Sequence, residues 1–482
     1  MRVDSPGRGT KRWLADTVGL RVLYTDETVF GAAISGRCEA DLHRRLAVLH
    51  DYRAKLGLQQ LVTEAVAVLG RVLPHALAEL RAGPERLRET WLHPRPDHVR
   101  PAYLRVEANV SDVVCQIPLA PGLIGELAAW LGAWQEGATP PAAGPARAVW
   151  DALEVCGALV ATPPARAVPE PPGVRFIGHA TLGVSDGAQR IVFDPFLVPR
   201  STRYPAHWQP ATPASLGRPD AVFVTHSHPD HFDTGTLLRW GPDVPVYVPA
   251  VGRESVLAID MAARLHELGF RRVHAVGPWE HVTIGELHVE TLPFFGEQPT
   301  TREVLHPEVR NVGLTYAVTY RDRRIGVFAD SGRDHAGDVL NMVGAARARG
   351  TAFDTVIGGY RGFAVYPVQF LFSSVSRYLP FVPPSLWGTR QQIMCDADGL
   401  VDLAERAGAR RAVPYADGGA PWFWLRGLGP DLDSQSPAAM ATDPPPSHVA
   451  DVARRRAHTL ADGPLASPVE IAVPGVGDQL AF

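Results

Sequence analysis

The chain has 482 residues, of which 46% are hydrophobic and 20% are charged, and its formal net charge is −4. This length exceeds that of an ordinary single domain, so two or three domains are expected. The slightly negative charge and the ordinary composition argue against a nucleic acid or an acidic membrane surface as the partner.

Four cysteines, Cys38, Cys115, Cys156 and Cys395, are scattered along the chain without a Cys-x-x-Cys pair. Their spacing predicts no disulfide framework, and it favours the reducing environment of the cytoplasm. No long apolar run follows the charges near the start of the chain, so the sequence predicts neither a signal peptide nor a membrane span.

The first part of the chain, residues 1–165, is predicted to be a mixed α/β module without a chemical motif. Strand patterns lie at residues 20–34 and 104–110. Its histidines are isolated, which is typical of surface or packed residues rather than ligands. The predicted helices span residues 39–80 in two segments, 121–134 and 146–159. A segment rich in Pro, Ala and Gly at residues 162–173 predicts the linker to the next domain.

The stretch at residues 222–233, with the sequence VFVTHSHPDHFD, contains the strongest chemical signal. A short run of β-formers leads into four side chains of the kinds that bind metals, which predicts a strand ending in a ligand-bearing loop. Because side chains alternate along a strand, His226 and His228 are expected to point the same way and to serve one ion. After the following turn, Asp230 and His231 would face a second ion. The alternative interpretation is a polar loop that happens to be rich in histidine.

The order His-x-His-x-Asp-His at the end of a strand resembles the signature of the metallo-β-lactamase superfamily, and the resemblance extends over residues 173–482. It implies an α/β fold in which a metallo-β-lactamase αββα sandwich occupies residues 166–482. A smaller mixed α/β domain at residues 1–165 would precede this catalytic domain.

The segments at residues 174–181 and 189–195 are predicted to be two strands joined by an Asp-Gly turn. In the superfamily, an aspartate before a proline at this place supports the metal site. The resemblance therefore gives Asp194 the role of orienting a ligand or the ligand-bearing loop. The alternative is an ordinary turn residue at a strand end. His179, in the stretch Gly-His-Ala-Thr, is predicted to be structural or to lie beside the ligands.

Hydrolases of the superfamily place a third histidine after a strand that ends in proline. Here the sequence LPFFGEQP at residues 292–299 offers Glu297 instead. Together with His226 and His228, Glu297 would give two imidazoles and one carboxylate, which is the ligand set of non-haem Fe(II) oxygenases.

A strand at residues 324–329 ends in Asp330, which matches the superfamily aspartate that bridges both ions. Asp230, His231 and Asp330 would then surround the second ion. His335, five residues further along the chain, is a weaker candidate for a supporting role.

The last histidine of the superfamily is also absent. The strand at residues 411–414 leads instead into the sequence YADGG, which offers Tyr415 and, as a supporting residue, Asp417. Whether either side chain contacts a metal is left open. The resulting excess of carboxylates favours a hard ion of high charge, hence iron over zinc.

The sequences FFGEQP and YADGG together resemble the dinuclear-iron β-hydroxylase family of chloramphenicol biosynthesis. The resemblance implies two iron ions with Glu297 and Asp330 as catalytic residues, and it implies O₂ and an external electron-donor protein. The substrate would be an amino acid tethered to a carrier domain of a nonribosomal peptide synthetase. The N-terminal domain of that family is linked to dimerisation and carrier docking, so a homodimer is expected. The alternatives are a hydrolase with two zinc ions and a non-catalytic relative.

Aromatic side chains are concentrated at residues 360–388 and 422–424. They would either line a pocket for an aryl group or pack in the core, and the sequence leaves both interpretations open.

Overall fold

A computed structural model describes most of the second half of the chain and part of the first. The described residues are 10–24, 60, 62–64, 66–67, 102–108, 112–165, 169–202, 209–255, 257–298, 310–361, 364–365, 382, 384–416, 444–460 and 469–482. Asp417, the aromatic residues at 422–424 and most of the predicted helices between residues 39 and 80 lie outside the described residues, so those predictions stay predictions.

The bounds of the described elements follow in chain order. The strands are β1 Trp13–Leu14, β2 Val18–Tyr24, β3 Ala102–Ala108, β4 Asp112–Leu119, β5 Leu159–Val160, β6 Gly173–Gly178, β7 Thr181–Ser185, β8 Arg190–Phe193, β9 Ala221–Phe223, β10 Val246–Pro249, β11 Val273–Val276, β12 His281–Ile284, β13 Leu287–Pro293, β14 Leu314–Tyr320, β15 Arg323–Ala329, β16 Arg333–Asp334, β17 Gly337–Asp338, β18 Thr355–Gly358, β19 Ala364–Val365, β20 Gln391–Gln392, β21 Arg411–Pro414, β22 Glu470–Ile471 and β23 Gln479–Leu480. The helices are α1 Pro121–Ile124, α2 Leu127–Gln135, α3 Pro145–Val155, α4 Pro213–Leu216, α5 Thr234–Trp240, α6 Met261–Glu267, α7 Val339–Ala348, α8 Ala397–Ala407 and α9 Ser447–Leu460, with a 3-10 helix at Pro384–Leu386.

Two seven-stranded sheets form the centre of the larger domain. The first has the order β11-β10-β9-β8-β7-β6-β23, and the second has the order β12-β13-β14-β15-β18-β21-β22. Phe193, Phe223 and Tyr316 are fully buried between the two sheets. Their strands are buried on both faces, which explains why they read as nearly continuous apolar runs.

Helices cover the outer face of each sheet. Helices α7, α8 and α9 pack on the second sheet through a core that includes Val356, Leu400 and Val449. Helices α5 and α6 pack on the first sheet through a core that includes Leu237 and Leu265. The predicted αββα sandwich is therefore confirmed.

The start of the first sheet differs from the prediction. The strand predicted at residues 174–181 is interrupted, because Gly178 pairs directly with Thr181 across a tight turn between β6 and β7. His179 lies in this turn with a φ of +50°. A histidine in the left-handed region is uncommon, so the residue pattern gives no indication of the turn.

The N-terminal part packs tightly on helix α5 of the larger domain. Strands β2, β3 and β4 form an antiparallel sheet, and helix α2 lies against α5. A Cβ built on Gly235 would lie 1.5 Å from the Leu20 carbonyl oxygen, so only glycine permits this approach. Arg239 Nη2 donates a hydrogen bond to the Ala15 carbonyl at 2.6 Å. Leu14 and Leu237 belong to one continuous core, so the two parts share buried apolar surface.

The prediction of no disulfide is wrong for one cysteine pair. Cys115 on β4 forms a disulfide with Cys156 at the end of α3. The two residues are 41 positions apart in the sequence, so tertiary packing rather than spacing brings them together. No helix among the described residues has both the length and the apolar character needed to cross a lipid bilayer.

Candidate metal centre

The predicted site residues meet at one edge of the two sheets. Strands β8 and β9 run parallel in the first sheet, and β15, β18 and β21 run parallel in the second, so their carboxyl ends lie at common edges. The ligand-bearing loop follows β9 and joins both sheets. Its Val224 N–H donates to Tyr247 in the first sheet at 3.0 Å, and the Thr225 carbonyl accepts from Leu314 N–H in the second at 2.7 Å.

The first group of candidate ligands consists of His226, His228 and Glu297. His226 Nε2 lies 2.6 Å from Glu297 Oε2, and His228 Nδ1 contacts the same oxygen. All three side chains are buried, and their ligand atoms lie within 4.8 Å of one another. The structure thus places the carboxylate that replaces the usual third histidine beside the two strand-end histidines.

The hydrogen bonds around His226 leave a lone pair facing Glu297. Thr225 Oγ1 donates to Asp194 Oδ2 at 2.6 Å, so the same hydroxyl oxygen accepts from His226 Nδ1–H at 3.0 Å. Burial holds the pKa of His226 well below its usual value, so its ring is neutral. Nε2 therefore presents a lone pair to the carboxylate oxygen, and among the described residues neither atom has a well-oriented hydrogen bond. Two facing acceptors in a buried site fit a bound cation.

The second group is arranged around His231. Asp194 Oδ2 accepts from His231 Nδ1–H at 2.8 Å, and His231 Nε2 lies 3.1 Å from Asp330 Oδ2. Asp230 Oδ2 is 4.0 Å from the same Nε2. A carboxylate that fixes the tautomer of a histidine is the usual support of a metal ligand. Asp194 therefore lies where a supporting residue is needed, and the structure places Asp230 and Asp330 on either side of His231, at 4.0 Å and 3.1 Å from its Nε2.

Asp330 lies between the two groups. It forms a possible ligand set with His226 and His231, which belong to different groups. Its Oδ1 is buried without a hydrogen-bond partner among the described residues. The donor set of imidazoles and carboxylates, with these buried atoms, fits two metal ions that share Asp330.

His179 joins the second group, although the sequence predicts only a structural or supporting place for it. Its Nε2 lies 3.0 Å from Asp230 Oδ2. His335, the weaker candidate, belongs to neither group, and its Nδ1 is 3.5 Å from Nε2 of Gln298, the residue after Glu297.

Left-handed backbone is concentrated around the site. Seven non-glycine residues in the described part of the chain have positive φ, and five of them are site residues or immediate neighbours of site residues: His179, Asp194, Glu297, Ala329 and Ala416. Such conformations cost roughly 1–3 kcal/mol each and persist where the surrounding structure enforces them. Among the described residues, left-handed backbone strain is therefore concentrated at the candidate metal centre.

Asp334, which the sequence analysis missed, holds the loop that carries Glu297. Its Oδ2 accepts from Gly296 N–H at 3.1 Å and from Arg310 Nη2 at 3.0 Å. Glu297 N–H donates to the Ile393 carbonyl at 2.6 Å. An aspartate that binds backbone amides of a distant loop leaves no local sequence pattern, so no motif could have revealed it.

The electrostatics show how much negative charge the site contains. Burial and the nearby Asp330 raise the pKa of Glu297 to about 7, against the opposing effect of His228. Burial lowers the pKa of His231, but Asp330, Asp194 and Asp230 outweigh it and hold that pKa well above its usual value. Both pKa shifts arise because several carboxylates lie close together without enough positive charge beside them. Bound metal ions would supply that charge.

Tyr415 follows strand β21, in the neighbourhood where the resemblance to the superfamily predicts the last histidine. It is fully buried after strand β21, and its hydroxyl has no hydrogen-bond partner among the described residues. Burial, together with Asp194 and Asp330, raises its pKa well above the usual value, so the phenol is neutral. Contact with a metal stays an open prediction.

The comparisons with known proteins first define the class. Residues 189–415 match the family model of the beta-lactamase superfamily domain. This range contains all the candidate metal ligands predicted from the sequence, from His226 to Asp330, and leaves His179 outside it. The matched family therefore agrees with the observed fold.

One solved structure and two curated relatives illustrate what the chain is similar to. The crystal structure of CmlA, a diiron beta-hydroxylase from Streptomyces venezuelae, superposes with a TM-score of 0.59 at 16% identity, covering 98% of this chain and 100% of that chain. The 4-amino-L-phenylalanyl-[CmlP-peptidyl-carrier-protein] 3-hydroxylase of Streptomyces venezuelae is 31% identical over 150 residues, which are 29% of this chain and 28% of the relative. The cytidine monophosphate-N-acetylneuraminic acid hydroxylase of Mus musculus is 28% identical over 120 residues, which are 23% of this chain and 20% of the relative.

The sequence matches thus span less than a third of either curated relative. The resemblance to a metallo-β-lactamase-fold dinuclear-iron hydroxylase is confirmed, and its firmest support is the fold. The curated relatives that match parts of the chain include hydroxylases and a metal-dependent hydrolase.

Proposed function

We propose that the protein is a dinuclear non-haem iron monooxygenase that hydroxylates the β-carbon of an amino acid tethered to a nonribosomal peptide synthetase carrier domain. The observation that carries the proposal is the position of Glu297. It completes a set of two imidazoles and one carboxylate with His226 and His228. Similarity in fold to a diiron beta-hydroxylase and in sequence to a carrier-protein-dependent hydroxylase supports the same assignment.

Iron bound by these residues would supply the activation of O₂. In the overall reaction one oxygen atom enters the C–H bond, and the other leaves as water. The balance requires two electrons and two protons from an external donor, for which we propose an electron-donor protein.

The protein's own residues prepare the site for this chemistry. His226, His228 and Glu297 would hold one ion, and Asp230 and His231 would hold the other, with Asp330 between them. Asp194 fixes the proton of His231 on Nδ1 and leaves Nε2 free to bind. Because most of the ligands are buried, the site excludes bulk water, which limits side reactions of an oxidising centre.

The partners belong to the same proposal. A carrier-bound substrate needs a docking surface on the enzyme, and we assign it to the domain of residues 1–165, which precedes the catalytic domain of residues 166–482. We also propose that the protein forms a homodimer through the N-terminal domain and acts in antibiotic biosynthesis in the cytoplasm.

The test is metal analysis followed by turnover on a loaded carrier. The purified protein should contain about two iron ions per chain. After reduction it should add one oxygen atom from ¹⁸O₂ to a carrier-bound aryl amino acid, as read by mass spectrometry. Zinc without iron, or label that comes from H₂¹⁸O, would contradict the proposal.

The second candidate is a hydrolase that uses two zinc ions to activate water. It is favoured by a 32% identical segment of 83 residues in the UPF0173 metal-dependent hydrolase of Deinococcus radiodurans. Turnover of simple esters by the zinc form, without O₂ or reductant, would support it. Glu297 in place of the third imidazole counts against this candidate.

A further inference from the structure

One side chain outside the proposed ligand set lies against a proposed ligand. His179 is 4% exposed, and its Nε2 is 3.0 Å from Asp230 Oδ2. We infer that His179 is the positioning residue of Asp230: its imidazole donates a hydrogen bond to Oδ2, the carboxylate oxygen on the side of His231, and so holds the carboxylate turned toward the second metal ion. This inference rests on the proposed dinuclear centre. It identifies His179 as a residue that sets the affinity of the protein for the second ion.

The backbone around His179 fixes the position of its ring. The residue lies in the tight turn between β6 and β7 with a φ of +50°. Its carbonyl accepts from Ala416 N–H at 3.2 Å, which ties the turn to the segment that follows β21. A left-handed residue with a large side chain costs free energy, and it persists because pairing on both sides enforces it. Glycine or asparagine would relieve the strain, but neither would place an imidazole here.

The turn is also hydrogen-bonded to Asp194, the residue that supports His231. Thr181 Oγ1 donates to the Asp194 carbonyl at 2.8 Å and accepts from Phe196 N–H at 2.9 Å. The His179 ring packs against the ring of Phe196 at a centroid distance of 6.0 Å. Residues 179–181 and 194–196 are therefore held together by these contacts. Within this unit Asp194 orients His231, and His179 orients Asp230.

Asp230 is the ligand that most needs such support. Its side chain is 32% exposed, whereas those of His231 and Asp330 are 0% and 5% exposed. A partly exposed carboxylate retains rotamer freedom that it must lose when it binds an ion. A hydrogen bond from a fixed imidazole removes that freedom before the ion arrives, which strengthens binding.

The experiment compares His179→Asn with His179→Gln. Asparagine tolerates the left-handed backbone but is too short to reach Asp230, whereas the glutamine amide nitrogen reaches about as far as Nε2. Metal-free full-length protein is titrated anaerobically with Fe²⁺ against a competing chelator, and the first and second equivalents are resolved. We expect His179→Asn to weaken only the second equivalent, by roughly 10- to 100-fold, and His179→Gln to restore most of the loss.

Two controls separate a positioning role from a loss of folding. His266→Gln removes an imidazole on helix α6 whose Nδ1 lies 3.2 Å from the Phe270 carbonyl, outside both groups of candidate ligands, and it should leave both equivalents unchanged. Thermal unfolding of each metal-free variant confirms that it folds. If His179→Asn does not fold, His179→Gly, which permits the left-handed backbone at no steric cost, takes its place in the same titration, with the same expectation.

The outcomes distinguish this inference from the proposed function. An unchanged second equivalent in the shortened variant overturns the positioning role and leaves the dinuclear centre intact. A loss that glutamine does not restore also overturns it, because His179 would then bind the ion directly. A wild-type protein that takes up only one ion overturns the dinuclear centre itself, and this inference with it.

Discussion

The two halves of the candidate metal centre are built differently. In the half formed by His226, His228 and Glu297, the third ligand comes from a separate loop and has left-handed backbone, with a φ of +50°. In the other half, His231 and Asp230 each have a supporting side chain, Asp194 and His179.

The comparison indicates that the first half determines which metal is preferred, whereas the second half contributes to the stability of the fold. We expect the exchange of an imidazole for a carboxylate to change the preferred metal in the first half without a change of fold. The second half is held by buried hydrogen bonds that also connect the loops of the first sheet. Substitutions in the first half should therefore change metal content and activity, and those in the second half should also lower the free energy of unfolding.

The largest effect is expected for Glu297→Gln. The amide keeps the shape of the side chain but loses the charge that a cation requires, so bound iron should fall from about two ions to about one per chain. Hydroxylation should fall to background, while the unfolding midpoint of the metal-free protein should stay equal or rise, because a buried carboxylate is removed.

Glu290→Gln on strand β13 is the matched control, since it makes the same change outside the site. Equal iron content in the two variants would show that Glu297 is not a ligand.

A loss of stability is expected for Asp194→Asn. The carboxylate accepts from Thr225 N–H at 2.7 Å, from Thr225 Oγ1 and from His231. An amide cannot accept all of these bonds, and breaking one partner of a buried pair costs about 3 kcal/mol. Urea denaturation of metal-free protein measures the change. A difference within error would mean that Asp194 is an ordinary turn residue.

The pH dependence should differ between metal-free and metal-loaded protein. The folded-state pKa of Glu297 is raised to about 7, so in the metal-free protein its contribution to stability is complete below its unfolded pKa and is lost as pH rises through about 7. A metal ion needs the ionised carboxylate, so metal affinity should rise by about tenfold per pH unit up to that value. Thermal unfolding is measured between pH 5.5 and 8 with and without Fe²⁺. The unfolding midpoint of the metal-free protein should fall as the pH rises, and the increase in the midpoint on adding Fe²⁺ should grow. An increase that does not change with pH would contradict the prediction.

The smallest effect is expected for Tyr415→Phe. Its hydroxyl is buried without a hydrogen-bond partner among the described residues, so its removal should change the free energy of unfolding by about 1 kcal/mol or less. Retained iron content would show that the phenol is not a ligand, whereas loss of iron would identify it as one.

Much of this centre could be predicted from local patterns. The strand-and-loop context of His226, His228 and Asp230 reveals candidate ligands because the residue types and their order suffice. Glu297 was found because it stands in the place of an expected histidine. The two-sheet architecture was predicted from the resemblance to the metallo-β-lactamase superfamily that the His-x-His-x-Asp-His motif carries.

The features that escaped prediction depend on contacts between distant segments. Asp334 binds the backbone of a loop almost forty positions earlier in the chain, Cys115 meets Cys156 across a domain, and the role of His179 depends on a left-handed turn. None of these arrangements leaves a periodic or spaced pattern, because each is defined only when the chain is folded.

Helix α5 begins one residue after the ligand-bearing loop, and its first turn touches the backbone of strand β2 through Gly235. Leu237 and Trp240, further along this helix, are buried in the core that it shares with the N-terminal part. A fragment that starts at residue 166 would open this apolar surface to water and would aggregate. A shorter version of this chain therefore needs new polar side chains on α5 in place of that cover, since deletion of the N-terminal part alone leaves the apolar face of this helix exposed.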